Sequence, residues 1–193
     1  MNDFLARTQE GAAALRRAVS DISAQPQLLA SVREEPAVGA GILAGVIAQV
    51  DKARTLTRPS ALGVAALMVN HAAYAWSLYR RGARNDALGW GLRAAAWGAG
   101  VAATRTQPTT AAVAVGGAAV LVTSALAGDP ALRTDAGKGM SHGANLLVAA
   151  EGLTALRAAL KQRKRRARLV RAAEAGALVI GHLLLIDGFR RTR

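Results

Sequence analysis

Six apolar stretches separated by short polar segments make up most of the chain beyond residue 35. The polar segments carry Gly, Pro and clusters of arginine, and no alternating apolar and polar pattern bounded by turn pairs appears. This pattern predicts helices joined by loops, and no strands. The apolar stretches run approximately over Pro36–Val50, Ser60–Tyr79, Ala87–Ala103, Thr110–Ala127, Gly143–Leu160 and Ala172–Phe189.

The lengths of these stretches favour a membrane-embedded bundle. A helix needs about 20 apolar residues to cross the hydrocarbon core, with a range of about 17–25. Ser60–Tyr79 and Thr110–Ala127 meet this requirement, whereas other stretches are interrupted by charges such as Arg93 and Glu151. We expect an all-α, polytopic transmembrane helix bundle with about six to eight segments. A soluble, alanine-rich helical protein is the alternative.

Residues 1–35 differ from the rest of the chain because they are mixed and polar. Leu15, Val19 and Ile22 recur at helical spacing, which indicates an amphipathic helix at an interface or against the bundle. A loosely ordered arm is the alternative. We therefore predict a polar N-terminal arm over 1–35 and a transmembrane helical domain over 36–193. No cleaved signal peptide is expected, since Met1–Arg17 has no apolar core.

Composition and charge limit the classes of molecule that the protein is expected to bind. The chain has 193 residues, 25 Lys and Arg against 12 Asp and Glu, and a net charge of +13. The cations lie mostly between the apolar stretches, which favours attraction to anionic lipid head groups. Nucleic acid is not expected as a partner, because binding it would need a basic face with readout groups. No cysteine is present, and the three histidines lack ligand spacing, so no metal site is expected.

The charges leave the orientation in the membrane open. With strict alternation of six helices, the loops carry 12 Lys and Arg on the N-terminal side and 11 on the other. The positive-inside rule therefore does not choose between the two orientations. The sequence also carries no signal for an oligomeric state.

Two carboxylates stand out because each lies within or beside an apolar stretch. Asp51 follows the first stretch and Glu151 lies inside the fifth. An ionisable group inside a membrane is a functional-site hypothesis by default. Alternatively, Asp51 is a helix-end charge beside Lys52, and Glu151 forms an ion pair with Arg157 or Arg93.

His71, Tyr74 and His182 are the candidate polar groups for binding a substrate. His71 and Tyr74 are three residues apart and share a helix face. His182 lies in an apolar stretch of its own. Histidines with a purely structural role are the alternative.

Four pieces of sequence together resemble the lysoplasmalogenase family, the YhhN-like multi-helix membrane proteins. Gly143–Leu156 is similar to the family segment in which a Ser-Asp pair precedes a Leu/Ala stretch. Gly181–Leu184 resembles its Gly-Gln-Leu-Leu-type motif, and Asn70–Tyr74 resembles its His-x-x-Tyr helix. Asp51 precedes His71 by a separation close to that between the family's Gly-Asp motif and its histidine. The resemblance covers residues from about 40 to 189.

The chain departs from the family pattern at three motif positions. Val50 stands where the family has the glycine of Gly-Asp, and Ala150 and Glu151 stand where it has Ser-Asp. His182 stands in place of glutamine. Both acidic motifs are therefore altered.

The resemblance implies a hydrolase that cleaves the vinyl ether bond of lysoplasmalogen to a fatty aldehyde and a glycerophospho-head group. Carried over by position, Asp51 and Glu151 would be the two catalytic carboxyl groups, with Glu151 as the acid. His71, Tyr74 and His182 would contact the substrate. No metal or organic cofactor is implied, and the partners would be a membrane lipid substrate and anionic head groups.

The high content of alanine and arginine, without cysteine, favours a bacterial source and hence a multi-pass protein of the cytoplasmic membrane.

A non-catalytic helical membrane protein with a basic, anionic-lipid-contacting loop over Lys161–Arg171 is the alternative function.

Overall fold

The computed structural model describes residues 35–55, 60–84, 87–108, 110–159 and 164–192, apart from the side chains of 157–159 and 164–168, together with residues 9, 11, 13, 14, 16 and 17. Beyond residue 34 the described chain is helical and contains no strand, which confirms the predicted all-α class. A short 3₁₀ turn, Pro130–Leu132, follows the fourth helix. The six α-helices are α1 (Pro36–Thr55), α2 (Ala61–Arg80), α3 (Ala87–Thr104), α4 (Thr110–Ala127), α5 (Lys138–Ala159) and α6 (Lys164–Arg191).

Local sequence signals fix both ends of α2. Ser60 is its N-cap, and the Ser60 side chain accepts a hydrogen bond from the Gly63 N–H at 3.1 Å. Gly82 follows the helix with φ +90°, a conformation that favours glycine. The N–H of Ala83 then donates to the Leu78 carbonyl at 3.2 Å, the long-range bond of a Schellman ending. These ends position the cluster of polar side chains that α2 contributes to the interior.

Consecutive helices run in alternating directions. The start of α1 meets the end of α2 through Glu35 and Ser77, and the end of α1 meets the start of α2 through Asp51 and Ser60. In the same way the bond from Thr154 to Glu174 joins the end of α5 to the early part of α6. The bundle therefore has two ends, which we name after one residue at each: the Lys52 end, where α1, α3 and α5 finish, and the Arg81 end, where α2, α4 and α6 finish.

Glycines allow the backbones of α5 and α6 to approach closely. A Cβ on Gly143 would lie 2.6 Å from the Gly181 carbonyl oxygen, and a Cβ on Gly181 would lie 2.9 Å from the Gly143 oxygen. On α1, a Cβ at Gly41 would meet the Ala73 methyl at 2.9 Å. Small residues at helix contacts are typical of membrane bundles, where dispersion rather than hydrophobic exclusion holds helices together.

Gly143→Ala is expected to destabilise the protein by about 1–3 kcal/mol, because the new methyl group has no room between the two backbones. Gly152 lies on the same helix with open space around its Cβ position, which makes it the matched control. Gly152→Ala is expected to be neutral or stabilising by up to about 1 kcal/mol, through helix propensity. Thermal unfolding in detergent measures both, and an equal effect of the two substitutions would contradict the close packing.

Many apolar side chains are exposed on the outside of the bundle, and its interior combines an apolar core with several buried polar side chains. Fully buried polar residues include Asn70, Ser77, Thr104 and Thr123, each with 0% exposure. Large exposed apolar patches mark sites of contact with membranes or other proteins. Large apolar side chains that are exposed include Leu43, Val46, Ile47, Leu62, Val69, Trp76, Leu88, Leu92, Leu169 and Val179.

Within the described ranges, three helical segments are long and apolar enough to cross a membrane: Ala61–Arg80, Thr110–Ala127 and Leu169–Arg191. The first two match the stretches that the sequence favours. The predicted number of six to eight segments exceeds these three, since charged residues interrupt α1, α3 and α5. The structure is thus consistent with a membrane protein.

The described residues near the N-terminus are helical and contact the bundle. Ala14 is buried and packs beside Leu184, and Gly11 lies against the ring of His142. The amphipathic positions predicted at Leu15, Val19 and Ile22 lie outside the described residues, and the division at residue 35 stays a prediction.

Candidate functional site

A lysine shared by two glutamates joins three helices at the Lys52 end. The Lys52 Nζ lies 2.9 Å from the Glu151 Oε1 and 2.9 Å from the Glu174 Oε1. Thr154 donates its hydroxyl to the same Glu174 oxygen at 2.7 Å. We call these four residues the Lys52 cluster. Its side chains are mostly buried, with 16%, 21% and 8% exposure for Lys52, Glu151 and Glu174.

The position of each residue along its helix brings the members of the Lys52 cluster together. Lys52 lies in the last turn of α1. Glu151 and Thr154 are three residues apart on α5 and share a face. Glu174 comes from α6, which runs antiparallel to α5. Since both glutamate oxygens lie within 2.9 Å of one nitrogen, the two carboxyl groups are close neighbours that compete for one counter-charge.

Asp51 points to a different partner. Its Oδ2 accepts the Ser60 backbone N–H at 3.0 Å and its Oδ1 accepts the Ser60 hydroxyl at 2.6 Å. Gly63 leaves room for this carboxylate, because a Cβ there would collide with it. Asp51 therefore ties the end of α1 to the start of α2.

The three residues predicted to bind substrate lie together in the interior. The Tyr74 Oη lies 3.1 Å from the His182 Nδ1, although the two residues come from α2 and α6. The rings of His71 and Tyr74 meet edge to face with centroids 6.1 Å apart. The His71 Nδ1 lies 3.0 Å from the hydroxyl of Thr123 on α4. We call His71, Tyr74, Thr123 and His182 the His–Tyr cluster.

The two clusters occupy different depths in the bundle. Asp51 and Lys52 are consecutive, and Lys52 reaches Glu151, so both predicted catalytic acids lie at the Lys52 end. Tyr74 follows Ser60 by fourteen residues along α2, which corresponds to about 20 Å at 1.5 Å per residue. The structure brings the predicted substrate-binding residues together in the interior and places both predicted acids at the Lys52 end. The two groups are separated from each other along the bundle.

The sequence interpretation missed Glu174 and the role of Lys52. Glu174 is a lone carboxylate among alanines and glycine, the same signal that Glu151 gives, but it lies close to the basic Lys161–Arg171 run. The described ion-pair partner of Glu151 is Lys52, whereas the structural alternative from the sequence named Arg157 or Arg93. The Arg157 side chain lies outside the described part of the chain. Arg93 instead donates to the Ser124 hydroxyl at 3.0 Å.

Asn70 has one satisfied and one unsatisfied side-chain atom among the described residues. The Asn70 amide nitrogen donates to the Gly41 carbonyl at 2.7 Å, which couples α2 to α1. The Asn70 Oδ1 is buried without a hydrogen-bond partner in the described part of the chain. Asn70 adjoins the His–Tyr cluster and extends the polar interior of α2.

The Arg81 end is held by a bidentate ion pair. The Arg81 guanidinium donates to both oxygens of Glu35, at 2.9 and 2.7 Å, and to the Phe189 carbonyl at 2.9 Å. It also donates to the Thr192 hydroxyl at 2.9 Å. The hydrogen bond from Arg81 lowers the pKa of Glu35 more than partial burial raises it, and a hydrogen bond from Ser77 lowers it further. This network joins the start of α1 to the ends of α2 and α6.

The fold and the polar groups define a class of protein rather than an individual one. The part of the chain that the structure describes is all-helical, and three of its helices are apolar enough to cross a membrane. No protein-family model, curated protein or solved structure matches it. Among the described residues no group of three or more His, Asp or Glu could hold a metal ion.

Proposed function

We propose that the chain is a multi-pass protein of a bacterial cytoplasmic membrane, with all six helices embedded. The exposed apolar side chains support this, because they occur on helices that are too polar to count as spans by composition. Leu43 and Val46 on α1 and Leu88 and Leu92 on α3 are all more than half exposed. In lipid these side chains have apolar neighbours, and the interior polar groups pair with one another.

We further propose that this bundle is a lysoplasmalogenase-like hydrolase acting at the Lys52 end. The single observation that carries the proposal is that Glu151 and a second glutamate share one largely buried ammonium at the end of the bundle. A lysophospholipid places its vinyl ether close to its head group, so the bond would meet the protein near a helix end rather than at mid-depth. Two neighbouring carboxyl groups are the arrangement in which an acid and a carboxylate can divide the tasks of hydrolysis.

The proposed chemistry divides two tasks between the acids. The protonated carboxyl donates a proton to the vinyl carbon, which leaves an oxocarbenium-like ion next to the ether oxygen. The carboxylate stabilises this cation and directs water to it, as in glycoside hydrolysis. The hemiacetal that forms collapses to a fatty aldehyde and a free hydroxyl on the glycerophospho-head group. Glu151 is the proposed acid, and Asp51 stays a proposed second carboxyl.

The His–Tyr cluster has a limited role in this proposal. His71, Tyr74 and His182 stay proposed substrate-contacting residues. Tyr74, which contacts both histidine rings, lies about 20 Å along α2 from the start of that helix. The three residues would therefore meet a part of the lipid that is remote from the bond cleaved.

A non-catalytic helical membrane protein is the second candidate function. It is favoured by the observation that every acid described at the Lys52 end has a structural partner. Asp51 binds Ser60, and Glu151 and Glu174 bind Lys52. In this alternative the ions serve only to hold α1, α2, α5 and α6 together, and the basic segment contacts anionic lipid.

Aldehyde release from lysoplasmalogen by the purified, folded protein distinguishes the two functions. Loss of a group that transfers a proton costs about 10²–10⁴-fold in rate, so Glu151→Gln is expected to lose at least a hundredfold and Asp51→Asn to be impaired. Asp135→Asn is the control, since Asp135 is fully exposed at the opposite end.

The outcomes separate the two functions clearly. No aldehyde from the folded wild-type protein would refute the hydrolase and support the non-catalytic bundle. Full activity in both acidic variants would show that Asp51 and Glu151 are not catalytic residues, although the protein would still be a hydrolase.

A further inference from the structure

Arg84 follows α2 at the Arg81 end, and its backbone is fixed on both sides. Its N–H donates to the Asp129 Oδ2 at 2.6 Å, and its carbonyl accepts the Trp90 Nε1–H at 3.2 Å. Ala83, the residue before it, is fully buried. The backbone that carries the Arg84 side chain is therefore anchored to α3 and to the turn after α4.

The Arg84 side chain folds back over the end of α2. Its Nη1 donates to the Tyr79 carbonyl at 2.9 Å and to the Ala83 carbonyl at 2.7 Å. Its guanidinium carbon lies 3.7 Å from the centroid of the Tyr79 ring, where the ring face attracts a cation. These contacts hold the guanidinium in one position although the residue is exposed.

One edge of this guanidinium is open to the surroundings. Both Nη1 hydrogens are used, whereas Nε and Nη2 donate to no acceptor in the described part of the chain. The Asp129 carboxylate binds the backbone N–H groups of Arg84 and Ala131, and no described carboxylate forms an ion pair with Arg84. The Nε and Nη2 hydrogens form a planar fork that matches two oxygens of a phosphate or carboxylate.

The two arginines that precede this site differ from Arg84. Arg81 donates from all three of its guanidinium nitrogens to groups within the protein. Arg80 is exposed and makes no hydrogen bond to the described residues, so its side chain is not held in place. Arg84 therefore combines a fixed position with an unused pair of donors.

Exposed aromatic rings surround the guanidinium. The Trp76 and Tyr79 rings lie nearly parallel, with an interplanar angle of 18° and centroids 6.3 Å apart. They are 54% and 48% exposed, and they continue the exposed apolar face of α2 that includes Leu62 and Val69. Tryptophan and tyrosine are enriched where the hydrocarbon meets the head groups. The open edge of Arg84 thus lies where the apolar face of α2 ends.

We infer that Arg84, Tyr79 and Trp76 form a binding site for the phosphate of a phospholipid head group. The Nε–Nη2 edge pairs with two phosphate oxygens, and the aromatic rings pack against the adjoining apolar part of the lipid. Charge complementarity selects the phosphate, and the adjoining apolar face selects a lipid over a soluble phosphate.

The inferred site is separate from the proposed chemistry. It lies at the Arg81 end, whereas the Lys52 cluster lies at the opposite end. The inference therefore rests on the proposed membrane embedding and is independent of the proposed hydrolysis.

Thermal unfolding of the purified protein in detergent, with phosphatidylethanolamine added, tests the site. This lipid has a phosphate but no net charge, so general attraction to basic segments contributes little. It is expected to raise the melting temperature, because a ligand that binds the folded state stabilises it. Diacylglycerol with the same acyl chains and inorganic phosphate are both expected to have little effect.

Arg84→Lys keeps the positive charge but loses the planar fork. It is expected to raise the lipid concentration needed for half of the effect by about tenfold. Tyr79→Leu removes the ring beneath the guanidinium and is expected to raise that concentration by about threefold. Each variant is compared with its own melting temperature without lipid, so that a change in basal stability does not count as a change in binding.

Arg80→Lys is the matched control, because it makes the same chemical change at an exposed arginine four residues earlier. It is expected to respond to the lipid as the wild-type protein does. Equal responses of Arg84→Lys and Arg80→Lys would overturn the assignment of Arg84. Diacylglycerol as effective as phosphatidylethanolamine would overturn the phosphate as the bound group, and inorganic phosphate as effective would overturn the lipid as its source.

The fraction in which the protein is found separates failure of this inference from failure of the embedding. A protein extracted from membranes that does not respond to phosphatidylethanolamine would overturn the inference alone. A protein that stays in the soluble fraction without detergent would overturn the embedding and the inference with it.

Discussion

Replacing Lys52 by methionine is expected to lower the free energy of unfolding by about 3–5 kcal/mol, because it leaves two buried carboxylates facing each other without a counter-charge. The expected loss exceeds that of an exposed ion pair, which contributes about 0–1 kcal/mol. Unfolding in mixed detergent micelles measures the change.

Two further variants show whether the loss of stability comes from the unpaired charge of the two carboxylates. Arg54→Met removes a cation two residues away that is exposed, and it is expected to change stability by less than about 0.5 kcal/mol. Lys52→Met combined with Glu151→Gln and Glu174→Gln removes all three charges and is expected to recover most of the loss. A triple variant as unstable as Lys52→Met alone would show that packing of the lysine stem, rather than its charge, is what matters.

Replacing Arg81 by glutamine is the second large effect, with an expected loss of about 3 kcal/mol. The substitution removes a bidentate pair with Glu35 and leaves the carbonyl of Phe189 without its donor. Arg80 is adjacent and exposed, so Arg80→Gln is the control and is expected to have little effect. Similar losses in the two variants would contradict a specific role for Arg81.

Acid pH should weaken the same network in the wild-type protein. The pKa of Glu35 is lowered in the folded state by the Arg81 guanidinium, so its contribution to stability is present above the ordinary glutamate pKa of about 4.3. The contribution is lost as the pH falls through the lowered pKa. Melting temperatures measured from pH 6 to pH 3 should therefore fall less steeply in Glu35→Gln than in the wild-type protein.

The helical class was predictable from the sequence because it depends on local pattern. The apolar stretches at Ala61–Arg80 and Thr110–Ala127 are uninterrupted, and both form helices close to the expected bounds. Caps such as Ser60 and turns such as Gly82 depend on a few neighbouring residues, so they also leave a signal in the sequence.

The partners of the charged residues were not predictable in the same way. Glu151 lies 99 positions from Lys52 along the chain, and nothing near either residue indicates the other. Tyr74 and His182 were grouped by the family resemblance, and they do lie within hydrogen-bonding distance. Which helix faces meet depends on the packing of small residues such as Gly143 and Gly181, and many registers satisfy the same apolar pattern.

The contact of Arg81 with α6 has a consequence for how the protein is made. Phe189 and Thr192 lie more than a hundred residues after Arg81, so the ribosome delivers them well after α2 has been synthesised. During that interval the guanidinium has Glu35 as its acidic partner but lacks its acceptors on α6. The hydrogen-bond network at the Arg81 end is therefore completed only when α6 docks against α2.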